Sequence, residues 1–172
     1  EKITNLNTKE IFFSNLNFEY NAPGDLKRTK LKSNTIDIIF SYGVLEHIPT
    51  KDIVEILLET KRIMKKDGRH HHFVGTHDHY DNWGLGNGVN FLRYPSWYWF
   101  LMTGNSFSYH NRLRISDYQR IFNNLGFRVE YEDKELLSKN LEILETLPIN
   151  IMFQGYSKDD LAASAYYVDL TK

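Results

Sequence analysis

Residues Ile36 to Phe40 form a nearly unbroken run of apolar, β-branched side chains. A strand buried on both faces of a parallel sheet reads this way. The pattern changes after Pro49: Ile53, Ile56, Leu57 and Met64 recur at helical spacing, Thr50 stands where an N-cap would, and Lys65 and Lys66 close the segment. A second strand is expected over His70 to Thr76. Ser116 with Gln119 reads as a capping box that opens a helix stopping at Leu125, before Gly126. Phe127 to Tyr131 alternates as a strand, Leu141 to Leu147 reads as a short helix, and Ala165 to Leu170, rich in Tyr and Val, reads as a closing strand. Upstream, Asn7 and Glu10 are spaced as caps for a helix over 8–16. Phe18 and Tyr20 suggest a brief strand broken by Asn21-Ala22-Pro23-Gly24. Strands alternating with helices predict an α/β sheet with helices on both faces.

The 172 residues correspond to one domain with a real core. Basic and acidic side chains nearly balance, 21 against 22, which implies no broad face for a phosphate backbone and argues against nucleic acid as a partner. Without cysteine the fold has neither disulfides nor thiolate metal sites, and a cytoplasmic setting is expected. The apolar cluster over 91–102 is interrupted by Arg93, Pro95 and Ser96, so no membrane span is expected.

The segment Ile36 to Pro49, IDIIFSYGVLEHIP, is followed by a helix and by Met64-Lys65-Lys66-Asp67-Gly68. It resembles the second half of a class I S-adenosylmethionine-dependent methyltransferase domain, in which a buried strand with an early Asp meets a Leu-Glu-His turn, a helix and a basic turn ending in glycine. The likeness runs over about residues 8–170 and is most specific from Asn21 to Gly68. It implies a doubly wound, Rossmann-like sheet and S-adenosylmethionine as cofactor. It also implies that Asp25, in Gly24-Asp25, binds the adenine amino group with Leu26 against the ring; the alternative is that Asp25 only caps a Pro-Gly turn. Ser41, Tyr42 and Gly43 would line the methionine end of the cofactor, with Glu46 and His47 a turn further on, or the last two would only tie the turn together.

The glycine-rich cofactor loop and the acidic ribose-binding strand of the family do not occur in the 35 residues before Ile36. The expectation is therefore a truncated single domain over 1–172, lacking the family's first two strands and weak or inactive by itself. A homodimer, or another chain segment, would complete it. A degenerate methyltransferase fold serving as a binding or dimerisation module is the non-enzyme alternative.

Methyl transfer to oxygen or nitrogen needs alignment and, for many acceptors, removal of one proton. Imidazole suits that proton. Five of the seven histidines lie between His70 and His79; His77 and His79, past the strand's end, are the base candidates, with His47 as a third. His77-Asp78-His79-Tyr80-Asp81 is also similar to the His-x-His-x-Asp core of metallo-β-lactamase-like zinc hydrolases. Asn82 stands where that motif has a further histidine, and only His110 remains downstream. No metal is expected on the methyltransferase reading.

Aromatic residues reach 15% of the chain and crowd between Phe73 and Tyr109. The segment 80–114 is similar to an acceptor-side insertion of small-molecule methyltransferases. Tyr80, Trp97, Arg112 and Arg114 are its candidate substrate contacts, the arginines for a carboxylate or phosphate, with packing as the alternative. Gly84-Leu85-Gly86-Asn87-Gly88 reads as a flexible loop which, with the aromatics, would form a lid. The acceptor would be a small molecule, with a saccharide or another metabolite in view.

Overall fold

The computed structural model describes residues 19–80, 87–104 and 109–172. The expected helix at 8–16, Phe18, Asp81 and most of the glycine loop lie outside them. Strand β1 (Ile36–Tyr42), helix α1 (Thr50–Ile63) and strand β2 (Met64–Gly75) form one βαβ unit, with β1 and β2 parallel. Helices α2 (Ser96–Thr103) and α3 (Ile115–Asn124) follow, then β3 (Arg128–Leu136), α4 (Ser138–Leu144), α5 (Lys158–Ala162) and β4 (Ala163–Thr171). The sheet order is β1-β2-β4-β3, and β4 runs antiparallel to both neighbours.

Three boundaries differ from the pattern reading, each for a local reason. Helix α1 stops at Ile63, and the whole of Met64 to Gly75 is strand. Gly68 permits this, because a Cβ there would meet the Asp37 and Ile36 carbonyl oxygens at 2.9 and 3.1 Å. The first residue of α1 is Thr50 itself, with Pro49 at the cap position, so Thr50 does not cap. Helix α3 likewise begins one residue before Ser116. Asp117 Oδ2 accepts from Arg114 N–H at 2.9 Å, so the cap sits at Arg114 and not on the expected Ser116 and Gln119 pair. Of the expected strand near Tyr20, the described residues 19 and 20 are irregular.

Strand periodicity of two sorts the sheet into two faces. Ile39, His70, His72, Val74, Tyr166, Val168 and Leu170 share one face. There they pack against Ile53 and Leu57 of α1 and against Tyr118 and Phe122 of α3. Removing a buried Leu57 side chain from this core would cost about 2–5 kcal/mol. Lys61 of α1 fastens the two helices by donating to the carbonyls of Leu125 and Gly126, both at 2.7 Å, where α3 ends. The opposite face carries Ile38, Phe40, Tyr42, Phe73 and Tyr167, and Phe40 is 78% exposed. Among the described residues β1 is an edge strand covered on one face. The expectation of burial on both faces is therefore corrected: continuous hydrophobicity marks what a strand could bury, and its neighbours decide what it does bury.

The aromatic segment contributes a second core, in which Val89, Phe91, Leu92 and Trp99 pack with Leu144, Phe153, Leu161 and Ala162.

Candidate active site

The parallel strands β1 and β2 end side by side, and the chain leaves β1 through Tyr42-Gly43. Gly43 N–H donates to Phe73 O at 3.1 Å, extending the ladder by one step. Its φ of +64° lies in the left-handed region that glycine occupies without strain. The turn Leu45–His47 follows at once and puts Glu46 and His47 at the carboxyl end of the sheet. Asn111 pins this turn from a position 64–66 residues away in sequence. Its amide donates to Leu45 O (2.8 Å) and Ile48 O (2.9 Å), and its backbone N–H donates to Glu46 O (2.8 Å).

Glu46 is 2% exposed, and its Oε1 accepts from Gly75 N–H at 2.9 Å, across from the end of β2. Burial raises its pKa, opposed by backbone N–H donors and then by His47 and His77. Just past β2, His77 and His79 stand with ring centres 4.8 Å apart, and His79 lies 4.9 Å from His47 and 4.1 Å, stacked, from His110. Burial first, then the neighbouring imidazoles, lower His79 to about 4 and His110 to about 2. Both rings are therefore neutral near pH 7. His47 Nδ1 lies 2.9 Å from Tyr109 O and His77 Nδ1 3.1 Å from Ser164 O. A carbonyl only accepts, so these contacts put the proton on Nδ1 and the ring lone pair on Nε2.

The structure thus gathers His47, His77, His79 and Glu46, as the sequence suggested, and adds His110 and Asn111. His110 stood out in the sequence only as a leftover histidine, and nothing at Asn111 marked a clamp. Their contacts span 31 to 66 residues, and no local pattern carries them. Of the zinc-hydrolase motif, Asp78 is buried and its Oδ1 accepts from Tyr80 N–H at 3.0 Å, while Asp81 is outside the described residues.

The cofactor candidates divide. Ser41 is half-buried, and its hydroxyl pairs with His72 Nδ1 at 2.8 Å. Tyr42 is exposed and stacks on Phe73 at 4.3 Å. Asp25 is exposed, and its Oδ1 accepts from Lys27 N–H at 2.9 Å, the turn-forming contact. Leu26 is exposed beside it. Lys27 meets Asp52 at 3.5 Å, which places this loop at the first turn of α1, on the same edge of the sheet as Gly43.

The arginines are corrected. Arg114 is fully buried over Phe91, where it donates to the carbonyls of Thr76 and Ala163. It is out of reach of any ligand. Arg112 is half-buried between Trp99 and Phe153, and its Nη1 donates to the carbonyls of Phe91 and Tyr94. Its fork holds the insertion together instead of waiting for an anion. Trp97 points outward, 70% exposed, whereas Trp99 is buried and donates from Nε1 to His110 O at 2.9 Å. Tyr80 packs edge-on against Trp99 at 5.9 Å. A cleft of about 370 Å³ runs beside His110 and is lined by Trp99, Thr103, Tyr109, Asn111, Arg112 and Phe153.

Residues 4–71 match the family model described as a methyltransferase domain. Solved structures resemble the fold. One is a putative methyltransferase from Bacillus halodurans C-125, 13% identical over 97% of this chain and 78% of that one, with a TM-score of 0.51. A second is a geranyl diphosphate C-methyltransferase from Streptomyces coelicolor A3(2), in complex with Mg2+, geranyl diphosphate and S-adenosyl-L-homocysteine; it is 12% identical over 96% of this chain, with a TM-score of 0.56. A third is a putative sarcosine dimethylglycine methyltransferase from Galdieria sulphuraria, 12% identical over 96% of this chain, with a TM-score of 0.53. The chain spans 60% and 65% of the lengths of the last two. No curated protein matches the sequence.

Proposed function

We propose that this chain, a member of the class I S-adenosylmethionine-dependent methyltransferase family, methylates a small-molecule acceptor at the carboxyl ends of β1 and β2. The observation that carries the reading is the meeting of two things at that edge: a bare left-handed Gly43 and a cluster of imidazoles, one of which, His110, also lines the neighbouring cleft. Open α/β sheets bind their ligands there.

The residues present fit the methionine end of the cofactor. A Cβ at Gly43 would find only Glu46 Oε1 within 4 Å, at 3.7 Å, so the backbone is open to a close neighbour. Ser41 and Gly43 would flank that end, and the loop bearing Asp25 and Leu26 would meet the adenine from the first turn of α1. When bound, the cofactor supplies an electrophilic methyl group on a sulfonium. The chain aligns the acceptor and removes its proton. His77 is placed for that proton, because the Ser164 carbonyl fixes its Nδ1 as donor and makes Nε2 the basic atom. Trp99 and Phe153 give the cleft an apolar wall suited to a flat or apolar part of the acceptor.

Two measurements test this. Calorimetry with S-adenosylhomocysteine on the purified chain should show binding. Replacement of His77 by Ala should lower turnover by roughly 10² to 10⁴ with that affinity retained. Absence of binding would refute the reading, and equal loss of binding and turnover in the variant would make His77 structural.

A further inference from the structure

Glu46, His47 and His79 each bring a ligand atom within 4.8 Å of the other two. We propose that these three residues bind one divalent transition-metal ion of the zinc type at the carboxyl end of β1 and β2. Two imidazoles and one carboxylate, with positions left open, form the donor set of catalytic zinc sites and of ferrous facial triads. Magnesium and calcium prefer all-oxygen shells, so this nitrogen-rich set selects against them.

The carboxylate is built as a ligand. Glu46 is 2% exposed; Oε1 is held by Gly75 N–H, while Oε2 is inaccessible to solvent and has no hydrogen-bond partner among the described residues. A buried carboxylate oxygen left bare is costly unless something positive meets it. An ion between Glu46 and the two imidazoles would be that partner. His47 is oriented as metal-bound histidines are, with Nδ1 on a backbone carbonyl, Tyr109 O, and its other nitrogen left to ligate.

Space for an ion comes from Gly75. A Cβ there would stand 2.9 Å from Glu46 Oε1 and 3.2 Å from His79 Nε2, in the gap between two of the ligands. Ligands of tetrahedral zinc lie ~3.4 Å apart, so the three groups close by about an ångström on binding. His47 is exposed and moves easily. His110 backs the site: it is stacked on His79 at 4.1 Å, is 4% exposed, and has no partner for either ring nitrogen among the described residues. In the methyl-transfer reading, the open positions of the ion would take an oxygen of the acceptor. That role rests on the proposed function; ion binding does not.

The test uses the full chain, stripped with a chelator and titrated with Co2+ and then Zn2+. One equivalent of Co2+ should produce visible absorption bands that Zn2+ abolishes. Glu46→Gln and His79→Ala should each weaken binding by ~100-fold or more, judged against the 10–100-fold that outer-shell changes typically cost. His71→Ala, at a histidine paired with Asp169 on the far face of the sheet, should leave it unchanged. Circular dichroism reports folding, and where Glu46→Gln fails to fold, His47→Ala takes its place. No stoichiometric binding, or binding indifferent to these ligand variants, overturns the site. S-adenosylhomocysteine calorimetry on the same sample separates the two ideas. A chain that binds the ion and not the cofactor product keeps the metal site and loses the methyltransferase reading; the converse result does the opposite.

Discussion

Two histidines inside the main core should make this fold sensitive to mild acid. His70 and His72 sit on the buried face of β2, 0% and 7% exposed, with His70 Nδ1 3.2 Å from His72 Nε2 and rings of Phe127 and Phe122 against them. Burial first, then nearby positive charge, lowers His70 to about 4 and His72 to about 3. An unfolded chain returns both to about 6.5. Since the native pKa values are depressed, the unfolded state binds more protons between pH 6.5 and 4, and stability falls as pH falls through that window. From pH 7 to pH 5 each histidine withdraws about 2 kcal/mol, some 4 kcal/mol for the pair, against a typical domain stability of about 5–15 kcal/mol. Urea unfolding at half-unit steps of pH would measure the slope in the wild type and in the double variant His70→Leu, His72→Leu. His79, His110 and Glu46 also titrate abnormally, but they contribute alike to both proteins and cancel in the comparison. The variant should lose about two protons of linkage, which is ~2.7 kcal/mol less slope per pH unit below pH 6. Superimposable slopes would refute the reasoning and show that water or a rearranged strand reaches these rings.

Three further outcomes follow from the geometry. Asp25→Ala should weaken S-adenosylhomocysteine binding by about 1.5–3 kcal/mol, the loss of a charge-assisted contact, measured by calorimetry; an unchanged constant would leave Asp25 as a turn residue held on Lys27. Gly75→Ala should keep the melting temperature within a few degrees, because the clashing atoms are side-chain ends. It should still cut turnover and metal affinity at least ~10-fold by pushing Glu46 and His79 apart. Asn111→Ala removes the side-chain bonds to Leu45 O and Ile48 O and should destabilise by about 2–4 kcal/mol in urea unfolding, while the isosteric Asn111→Asp, which cannot donate, should behave similarly. A neutral result in both variants would mean that the turn holds itself.

Local sequence determined the βαβ unit, because everything that specifies it is short-range. The β-branched run of β1, the 3.6-residue face of α1 and the alternation of β2 each act within a few residues. The same run carries the family resemblance, so the fold class was legible there as well. The histidines near 77–79 and the Glu46-His47 turn were also legible as candidates, since strand ends are where open sheets place their chemistry. What surrounds these elements was decided only by tertiary structure. Ile36 to Phe40 reads as doubly buried, yet among the described residues β1 is an edge strand, because hydrophobicity records the capacity of a strand and not the presence of its neighbours. Arg112 and Arg114 read as either anion receptors or packing residues, and they became clamps on backbone carbonyls because the folded chain surrounds them with carbonyl acceptors. The meeting of His110 with His79, and of Asn111 with the Leu45–His47 turn, joins segments 31 to 66 residues apart. Such contacts leave no period or spacing in the chain; they exist because the sheet and α3 bring those segments to one edge.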